Sequence, residues 1–314
     1  MQHVVYGLPP AGLVEVASGA AQVSPFFPGS PRLEDVSPGS LDGAVVLAPA
    51  GTIERRYTLA LALRGLAPGG RCVALAPKDR GGARLAKELA AFGAVIAEEA
   101  RRHHRICLLS RPERPEGLEE AIAEGAPRHI DNMALCTQPG IFSWDRLDPG
   151  SALLIETLPM LSGRGADFGC GLGILSMAVL RSPAVTELAM IDIDRRAVAM
   201  AERNVGDARA RFRWADLRQP DETLSRLDFV VMNPPFHDGG AEDRSLGQAF
   251  IARAAQVLRP GGSLWLTANT HLPYEATLRE HFREVTQRAA GDGYKVIEAR
   301  KATGSGKAFG KRNG

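Results

Sequence analysis

The chain has 314 residues, of which 45% are hydrophobic, and its formal net charge is +2. This is enough for two domains with sizeable cores, and the small net charge excludes a global basic field that would attract nucleic acid. The cysteines Cys72, Cys107, Cys136 and Cys170 show no paired spacing, so neither a zinc site nor a disulfide framework is indicated. No apolar run approaches about 18 residues and the start lacks a basic-then-apolar leader, so we expect a cytoplasmic protein without a membrane partner.

The first half carries a faint copy of a pattern that recurs in the second half. Leu66–Leu75, a Pro-Gly-Gly turn followed by a strand, parallels Leu258–Thr267, and Leu41–Leu47 parallels Leu227–Asn233. A duplicated domain and convergent turns both remain open on these segments alone. Where the second half has Asn-Pro-Pro-Phe, the first has Ala48–Gly51, and no comparable glycine turn precedes it. We therefore expect the amino-terminal copy to be degenerate.

Prolines and charges mark a domain boundary near residues 111–127. We predict a first domain at 1–127 for substrate docking or structural support, a second at 128–302 with the functional motifs, and a flexible basic tail at 303–314. Strands and helices alternate in the second domain, with helices predicted at 172–179, 195–205 and 246–258, and strands at 263–268 and 294–299. The fold class is thus α/β, with two tandem doubly wound, Rossmann-like domains, the N-terminal one degenerate.

The segment Ala166–Ser176 is predicted to be a strand, a glycine-rich turn and a helix. Glycines take positive φ and let a ligand approach the backbone, and the helix that follows presents free N–H groups. A dinucleotide fingerprint would need its third glycine at Ile174, so that class is excluded. A plain strand-to-helix turn stays open for this segment alone. The candidate cofactor-binding residues are Asp167, Gly169, Cys170, Gly171 and Gly173.

Acidic residues end the next two predicted strands. Asp192 lies about one strand-helix-strand unit after the glycine turn, where a carboxylate can accept both hydroxyls of a ribose. Asp216 would face an adenine amino group, and a solvated turn carboxylate is the alternative. The residues that follow them, Ile193 and Leu217, are assigned to the same cofactor site. Asp194 instead precedes an apolar-periodic run and is predicted to be a helix N-cap.

An apolar strand delivers the tetrapeptide Asn233-Pro234-Pro235-Phe236 into a loop, and these are the candidate catalytic residues. The amide oxygen of Asn233 and the carbonyl of Pro234 are adjacent acceptors that suit a planar amino group. The prolines stiffen the loop, and Phe236 offers a ring face on which a base can stack. Asn233 is also assigned to the cofactor site. A structural Pro-Pro-aromatic loop is the alternative for this motif alone, and no metal ligands are predicted.

The spacing Asp-x-Gly-x-Gly-x-Gly resembles that of doubly wound methyltransferases that use S-adenosylmethionine. Two further features are the Pro-Gly-x-Phe-Ser segment within Gln138–Asp145 and the His237-Asp238-Gly239 run after the tetrapeptide. With them, the chain resembles the bacterial 16S ribosomal RNA guanine-N2 methyltransferases, most strongly over residues 137–302. Gln138–Asp145 is expected to lie across the cofactor edge or to serve as a packed linker.

The resemblance implies an enzyme that transfers a methyl group from S-adenosylmethionine to the exocyclic 2-amino group of a guanine in 16S ribosomal RNA. Asn233 and the Pro234 carbonyl would hold that amino group, while Phe236 stacks the flipped or unpaired base. Water or Asp238 would take the proton, and His237 has either a structural or a catalytic role. The implied partner is ribosomal RNA in the small subunit or an assembly intermediate, without metal or membrane. The guanine and the oligomeric state stay open.

Other functions remain compatible with the motifs. Large-subunit ribosomal RNA, protein glutamine and DNA adenine also present planar amino groups, so the tetrapeptide does not separate them. A small-molecule methyltransferase is disfavoured by the additional domain. A non-enzymatic RNA-binding assembly factor is disfavoured by the intact motifs of the second half.

Because net charge is small, RNA binding would depend on local basic patches. One candidate is Arg101–Arg105, which contains three arginines and two histidines. A second is the alternation of Arg209, Arg211 and Arg213, which could flank the site. The third is the glycine-rich tail from Arg300 onward. The structural alternatives are a solvated surface run for the first cluster and a disordered end for the tail.

Overall fold

The computed structural model describes residues 2–235, 237–238, 241–242 and 244–303. The chain divides into two units. Unit 1 holds the residues up to Asp145 together with Ile193–Met200, and unit 2 holds Arg146–Asp192 and the chain from Ala201 onward. The predicted domain limits 1–127, 128–302 and 303–314 stay predictions. In the part of the chain that is described, no helix is both long enough and apolar enough to cross a membrane.

Unit 1 is built on a six-stranded sheet. Its strands are β1 (His3–Tyr6), β2 (Ala21–Gln22), β3 (Leu41–Leu47), β4 (Leu66–Pro77), β5 (Ile96–Arg101) and β6 (His104–Ser110). They lie in the order β2-β1-β3-β4-β6-β5, parallel except for the antiparallel pairs β4–β6 and β5–β6. The helices are α1 (Thr52–Gly65), α2 (Ala83–Ala90) and α3 (Leu118–Gly125), and a separate hairpin pairs β7 (Arg128–Ile130) with β8 (Leu135–Thr137).

Unit 2 is built on a seven-stranded sheet. The strands of unit 2 are β9 (Gly163–Phe168), β10 (Val185–Asp192), β11 (Ala210–Trp214), β12 (Leu227–Met232), the short pair β13 (His237–Asp238) and β14 (Ala241–Glu242), β15 (Leu258–Asn269), β16 (Glu284–Gly291) and β17 (Tyr294–Arg300). The sheet order is β11-β10-β9-β12-β15-β17-β16, with β17 antiparallel to both neighbours. The helices of unit 2 are α4 (Pro149–Thr157), α5 (Ile174–Leu180), α7 (Arg244–Val257) and α8 (Tyr274–His281). Helix α6 (Arg195–Asn204) belongs to unit 1 up to Met200 and to unit 2 from Ala201.

The two sheets follow one plan, which confirms the prediction of tandem doubly wound domains. In each sheet the first strand of the unit, β1 or β9, is an inner strand parallel to β3 or β12, and one edge of the sheet is an antiparallel hairpin, β5–β6 or β16–β17. Among the described residues, the sheet of unit 1 stops at β2 and has no counterpart of β11. The predicted N-cap is also confirmed, because Asp194 Oδ1 accepts a hydrogen bond from the backbone N–H of Arg196 at 2.9 Å.

Strand β12 is apolar on both faces because both faces of its sheet are covered. Phe229 and Val231 pack in a cluster with residues of α4 and α5, whereas Val230 and Met232 pack in a second cluster with residues of α7. This alternation is the period of two that a strand imposes on its side chains. Gly165 of β9 has no side chain there, because a Cβ would overlap the Phe229 ring. The packing therefore fixes β12 and the loop that follows it.

Candidate active site

The carboxyl ends of four parallel strands meet at one edge of the unit 2 sheet. Phe168 of β9 lies in register with Ile191 of β10 and Met232 of β12, and Asp192 of β10 lies in register with Trp214 of β11. The glycine turn, the two acidic strand ends and the Asn-Pro-Pro loop therefore leave the sheet side by side. This is the edge at which open parallel sheets bind ligands.

The glycine turn has the backbone conformation that the sequence predicts. Gly169, Gly171 and Gly173 have φ of 76°, 53° and 86°. A Cβ on Gly171 would meet no atom within 4 Å, whereas one on Gly173 would lie 2.8 Å from Val205 Cγ2. Gly173 is therefore required for close packing, and Gly171 leaves a bare stretch of backbone facing open space.

The Asp192 side chain is hydrogen-bonded to the glycine turn. Its Oδ2 accepts a hydrogen bond from the Gly171 N–H at 2.9 Å. The backbone N–H groups of Gly169 and Cys170 donate to the Ile191 carbonyl at 2.8 and 3.0 Å. The turn and the end of β10 thus form one rigid element, and the half-buried Asp192 carboxylate is part of it.

The thiol of Cys170 is buried at 5% exposure and belongs to a core cluster of unit 2. Burial, with the carboxylates of Asp192 and Asp167 nearby, raises the pKa of this thiol well above its ordinary value. A neutral buried thiol is a packing group rather than a nucleophile.

Asp167 is fully buried at the end of β9. Burial raises the pKa of its carboxyl to about 7, although the hydrogen bond from Ser176 Oγ to Oδ2, at 2.7 Å, acts in the other direction. Within the described part of the chain, the other oxygen, Oδ1, is buried without a hydrogen-bond partner. An unpaired buried acceptor is costly, so a donor that arrives with a ligand would satisfy a group that the folded chain leaves open.

Asp216 lies in the turn after β11 and is held by Arg218. The Arg218 Nε and Nη2 donate to the two carboxylate oxygens at 2.9 Å each, and the backbone N–H of Arg218 donates to Oδ1 at 2.9 Å. Burial acts to raise the pKa of Asp216, but the contacts with Arg218 hold it below its ordinary value. The carboxylate is thus ionised and retains lone pairs for a further donor.

The predicted neighbours of these acids differ in their surroundings. Leu217 is 6% exposed and packs in a core cluster of unit 2, so its side chain is a core group. Ile193 is half-buried and begins the segment assigned to unit 1. The cofactor role of both residues stays a prediction.

Asn233 follows β12 directly and its amide is held on one side. Its Nδ2 donates to Asp148 Oδ2 at 2.8 Å and to Ser151 Oγ at 2.9 Å. Asp148 is the N-cap of α4, and it accepts from the Ser151 backbone N–H at 2.8 Å. The neighbouring prolines are packed, since Pro234 is buried and Pro235 is half-buried. The Asn-Pro-Pro loop is therefore anchored where the strand ends.

The sequence did not identify Asp148 and Ser151 as partners of Asn233. The run Asp148-Pro149-Gly150-Ser151 carries a readable helix-start signature, an N-cap followed by proline. Its link to Asn233 joins residues that lie 85 positions apart in the chain, and one sequence contains no signal for it. Phe236 lies outside the described residues, as do Gly239 and the side chains of His237 and Asp238, so their predicted roles stay predictions.

The arginines of the predicted basic patches are engaged within the protein. Arg209 donates to the carbonyls of Leu180, Ser182 and Val185. Arg213 donates to Asp221 at 2.8 Å. These contacts brace the ends of β11 and α5, so Arg209 and Arg213 have structural roles in addition to any contact with a ligand.

The arginines of the Arg101–Arg105 cluster also contact groups of their own unit. Arg101 and Arg102 donate to the carbonyls of Leu13 and Ala11 of unit 1, and Arg105 pairs with Glu98 at 3.1 Å. The tail from residue 304 lies outside the described residues. Among the residues that are described, no three His, Cys, Asp or Glu side chains gather in a way that could hold a metal.

Comparison with known proteins gives a family. The family model named Methyltransferase small domain matches residues 132–298. A Ribosomal RNA small subunit methyltransferase C of Pseudomonas paraeruginosa is 33% identical over 290 residues, which cover 91% of this chain and 87% of that protein. The chain therefore belongs to the family of the ribosomal RNA small subunit methyltransferases C. A second member, from Shewanella loihica, is 32% identical over 274 residues that cover 84% of this chain and 78% of its own length.

A solved structure extends the likeness over both units. The T. thermophilus 16S rRNA N2 methyltransferase, in complex with AdoMet and guanosine, matches with a TM-score of 0.76 and 25% identity. The match covers 96% of this chain and 88% of that one. The resemblance to the ribosomal RNA guanine-N2 methyltransferases is thereby confirmed, and the protein is a methyltransferase with two tandem methyltransferase-like domains.

Proposed function

We propose that this protein transfers a methyl group from S-adenosylmethionine to the exocyclic 2-amino group of a guanine in 16S ribosomal RNA of the small subunit. The observation that carries the proposal is the strand register that brings the glycine turn, Asp192 and Asn233 to one edge of the unit 2 sheet. Membership of the small-subunit methyltransferase family supports the substrate class.

The residues at this edge fit S-adenosylmethionine. Gly171 leaves open space beside the backbone, Asp167 holds an unpaired buried acceptor, and Asp192 is fixed as a carboxylate beside the turn. In this assignment Asp192 would accept hydrogen bonds from the ribose hydroxyls, Asp216 would accept one from the adenine amino group, and Asp167 would accept one from the amino-acid end of the cofactor. When bound, the cofactor supplies an electrophilic methyl group on a sulfonium.

Asn233 and Pro234 then hold the nucleophile. The lone pair of a guanine 2-amino group is delocalised into the ring, which makes the nitrogen weakly nucleophilic. Hydrogen bonds from this amino group to Asn233 Oδ1 and to the Pro234 carbonyl localise the lone pair and aim it, so the catalysis consists of positioning and electrostatics. The nitrogen becomes acidic once it is methylated, and its proton leaves to water.

The remaining assignments follow from this reaction. Residues 128–302 would form the catalytic domain, residues 1–127 would dock substrate or support the fold, and residues 303–314 would be a basic tail. The partner is ribosomal RNA within the small subunit or an assembly intermediate, which places the protein in the cytoplasm with the ribosomes. The base must leave its stack to reach the edge of the sheet.

The test is transfer of labelled methyl from S-adenosylmethionine to five substrates: small subunits, large subunits, free ribosomal RNA, DNA and protein extract. We expect label in small-subunit RNA, and we expect Asn233→Ala to lower kcat by roughly 100- to 1,000-fold, as the loss of one directly acting hydrogen-bonding group does. Label confined to large subunits, DNA or protein would overturn the substrate assignment. Cofactor binding without transfer to any substrate would point to a different assembly state of the substrate or to a missing partner, whereas failure to bind the cofactor would favour a non-enzymatic RNA-binding assembly factor.

A further inference from the structure

Both hydrogens of the Asn233 amide are taken up by the first turn of α4. Nδ2 donates to Asp148 Oδ2 at 2.8 Å and to Ser151 Oγ at 2.9 Å. Among the described residues, none donates to Oδ1 of Asn233. The amide therefore has a bound nitrogen side and an oxygen side that is available as an acceptor.

Asp148 determines that the nitrogen of the Asn233 amide, and not its oxygen, faces α4. A carboxylate only accepts hydrogen bonds, and Asp148 accepts from the Ser151 backbone N–H at 2.8 Å and from the Tyr294 hydroxyl at 3.5 Å as well as from Asn233. Asp148 and Ser151 are each 8% exposed, so water does not readily replace these partners. A flipped amide would set Oδ1 against the carboxylate and lose a charge-assisted hydrogen bond.

Tyr294 reaches Asp148 because position 150 is glycine. A Cβ on Gly150 would lie 2.5 Å from Tyr294 Cδ1 and 3.1 Å from Asp148 Oδ2. Burial, together with the neighbouring Asp148 carboxylate, raises the pKa of Tyr294, so its hydroxyl stays protonated and remains a donor. Three donors thus converge on Asp148, which fixes the carboxylate in place.

We propose that Asp148 is a positioning residue that fixes the Asn233 amide with Oδ1 directed at the substrate amino group, supported by Ser151 and Tyr294. The inference rests on the proposed function. If the amide turned over, it would present NH2 to the NH2 of the base, and two donors repel. Asp148 acts through Asn233 and does not itself touch the substrate.

The test begins with Asp148→Ser and Asp148→Thr, since Ser and Thr both retain the ability to cap α4. Neither supplies a carboxylate to Asn233, so we expect kcat to fall roughly 10- to 100-fold, with the cofactor Kd and the RNA KM changed by less than about twofold. Asp207→Asn is the matched control, because Asp207 accepts from a backbone N–H of Arg209 at 2.9 Å and has no contact with Asn233. Wild-type kcat in both Asp148 variants would overturn the inference.

A double variant separates orientation from mere helix capping. Asn233→Asp places two carboxylates together, and adding Asp148→Asn gives the new carboxylate a donor while its second oxygen stays free for the substrate. Asp148→Asn should therefore raise kcat in the Asn233→Asp background, whereas in the wild type its amide oxygen still accepts from Asn233 and kcat should change by less than about threefold. A fall by the same factor in both backgrounds would show a capping role and overturn the inference.

An activity-free measurement keeps the inference apart from the proposed function. The side-chain amide protons of Asn233, identified by NMR through their loss in Asn233→Ala, should exchange with water about tenfold faster in Asp148→Ser than in the wild type. Equal exchange rates would contradict the orientation whether or not any RNA is methylated. Failure of the wild type to methylate RNA would instead contradict the proposed function.

Discussion

Units 1 and 2 share a sheet plan but use its carboxyl edge differently. In unit 1 the Arg55 guanidinium donates to the carbonyls of Pro49 and Ala50, at 3.1 and 2.6 Å, where the chain leaves β3. Arg55 also pairs with Glu88 at 2.7 Å and is 1% exposed. A buried ion pair therefore holds this edge of unit 1 together. In unit 2 the chain that leaves β12 carries Asn233, whose amide oxygen accepts no hydrogen bond from any described residue.

The strand pairs β1–β3 of unit 1 and β9–β12 of unit 2 also differ in the polarity of a buried position. Val45 of β3 lies in register with Val5 of β1, and Val231 of β12 lies in register with Asp167 of β9. Unit 1 thus has a valine where unit 2 buries an acid whose Oδ1 has no hydrogen-bond partner among the described residues. The fold does not need a polar group at this position, so Asp167 is retained at a cost in stability. Such a cost is typical of functional sites.

The largest expected effect is on the stability of unit 1. Arg55→Met leaves Glu88 and two carbonyls without their buried partner, so we expect the free energy of unfolding to fall by about 3–5 kcal/mol. Urea unfolding measures this change. Arg56→Met is the matched control on the same helix, because its pair with Glu124 is exposed and should contribute less than about 1 kcal/mol. Equal losses in both variants would contradict the contrast.

The second prediction concerns Asp167 and pH. Its folded pKa of about 7 lies above the ordinary value of 3.8, so the folded state keeps a proton that the unfolded state has lost between these values. Its stabilising contribution is therefore fully present below about pH 4 and is lost as pH rises through about 7. Asp167→Asn should match the wild type near pH 4 and exceed its stability at pH 8 by up to about 4 kcal/mol. Parallel pH profiles would show that Asp167 is not a strained acid.

The third prediction uses a matched pair of glycines, one in each unit. Gly171 and Gly69 both have positive φ, and a Cβ on either would meet no atom within 4 Å. Alanine at each position should cost a similar amount, about 1–2 kcal/mol, for the left-handed backbone. Only Gly171→Ala should weaken S-adenosylmethionine binding, as measured by calorimetry. Equal cofactor affinities in the two variants would contradict the assignment of the glycine turn to the cofactor site.

The smallest expected effect comes from Tyr294→Phe. The variant keeps the ring against Gly150 and removes only a long hydrogen bond to Asp148. We expect kcat to fall by less than about tenfold, as the loss of one hydrogen bond worth about 1 kcal/mol implies. Steady-state kinetics on small subunits measures it, and a loss as large as that of Asn233→Ala would assign Tyr294 a direct role.

The sequence predicts the fold and the residues that end each strand of unit 2 because those signals are local. The glycine turn, Asp192, Asp216 and the Asn-Pro-Pro loop each follow an apolar strand, and a parallel sheet brings such ends together. The contacts that orient these residues are harder to predict. Asp148 meets Asn233 although the two lie 85 residues apart in the chain. Arg218 is only two residues from Asp216, but it holds that carboxylate by side-chain geometry that a single sequence does not encode as a pattern.

The basic patches were harder to predict for the same physical reason. An arginine in a sequence shows its charge but not its partners, and Arg209 and Arg213 prove to bind carbonyls and a carboxylate of their own unit. Counting basic residues therefore overestimates the surface that is free to bind phosphate.

The identity of the methylated atom tests most directly whether the protein methylates the 2-amino group of a guanine. Small subunits treated with the protein and S-adenosylmethionine are digested to nucleosides and analysed by mass spectrometry, beside subunits treated with Asn233→Ala. We expect N2-methylguanosine in the 16S ribosomal RNA with the wild type and a loss of roughly 100-fold or more in its rate of formation with the variant. Methylation at a ring nitrogen or a ribose hydroxyl, or an equal yield with Asn233→Ala, would contradict it.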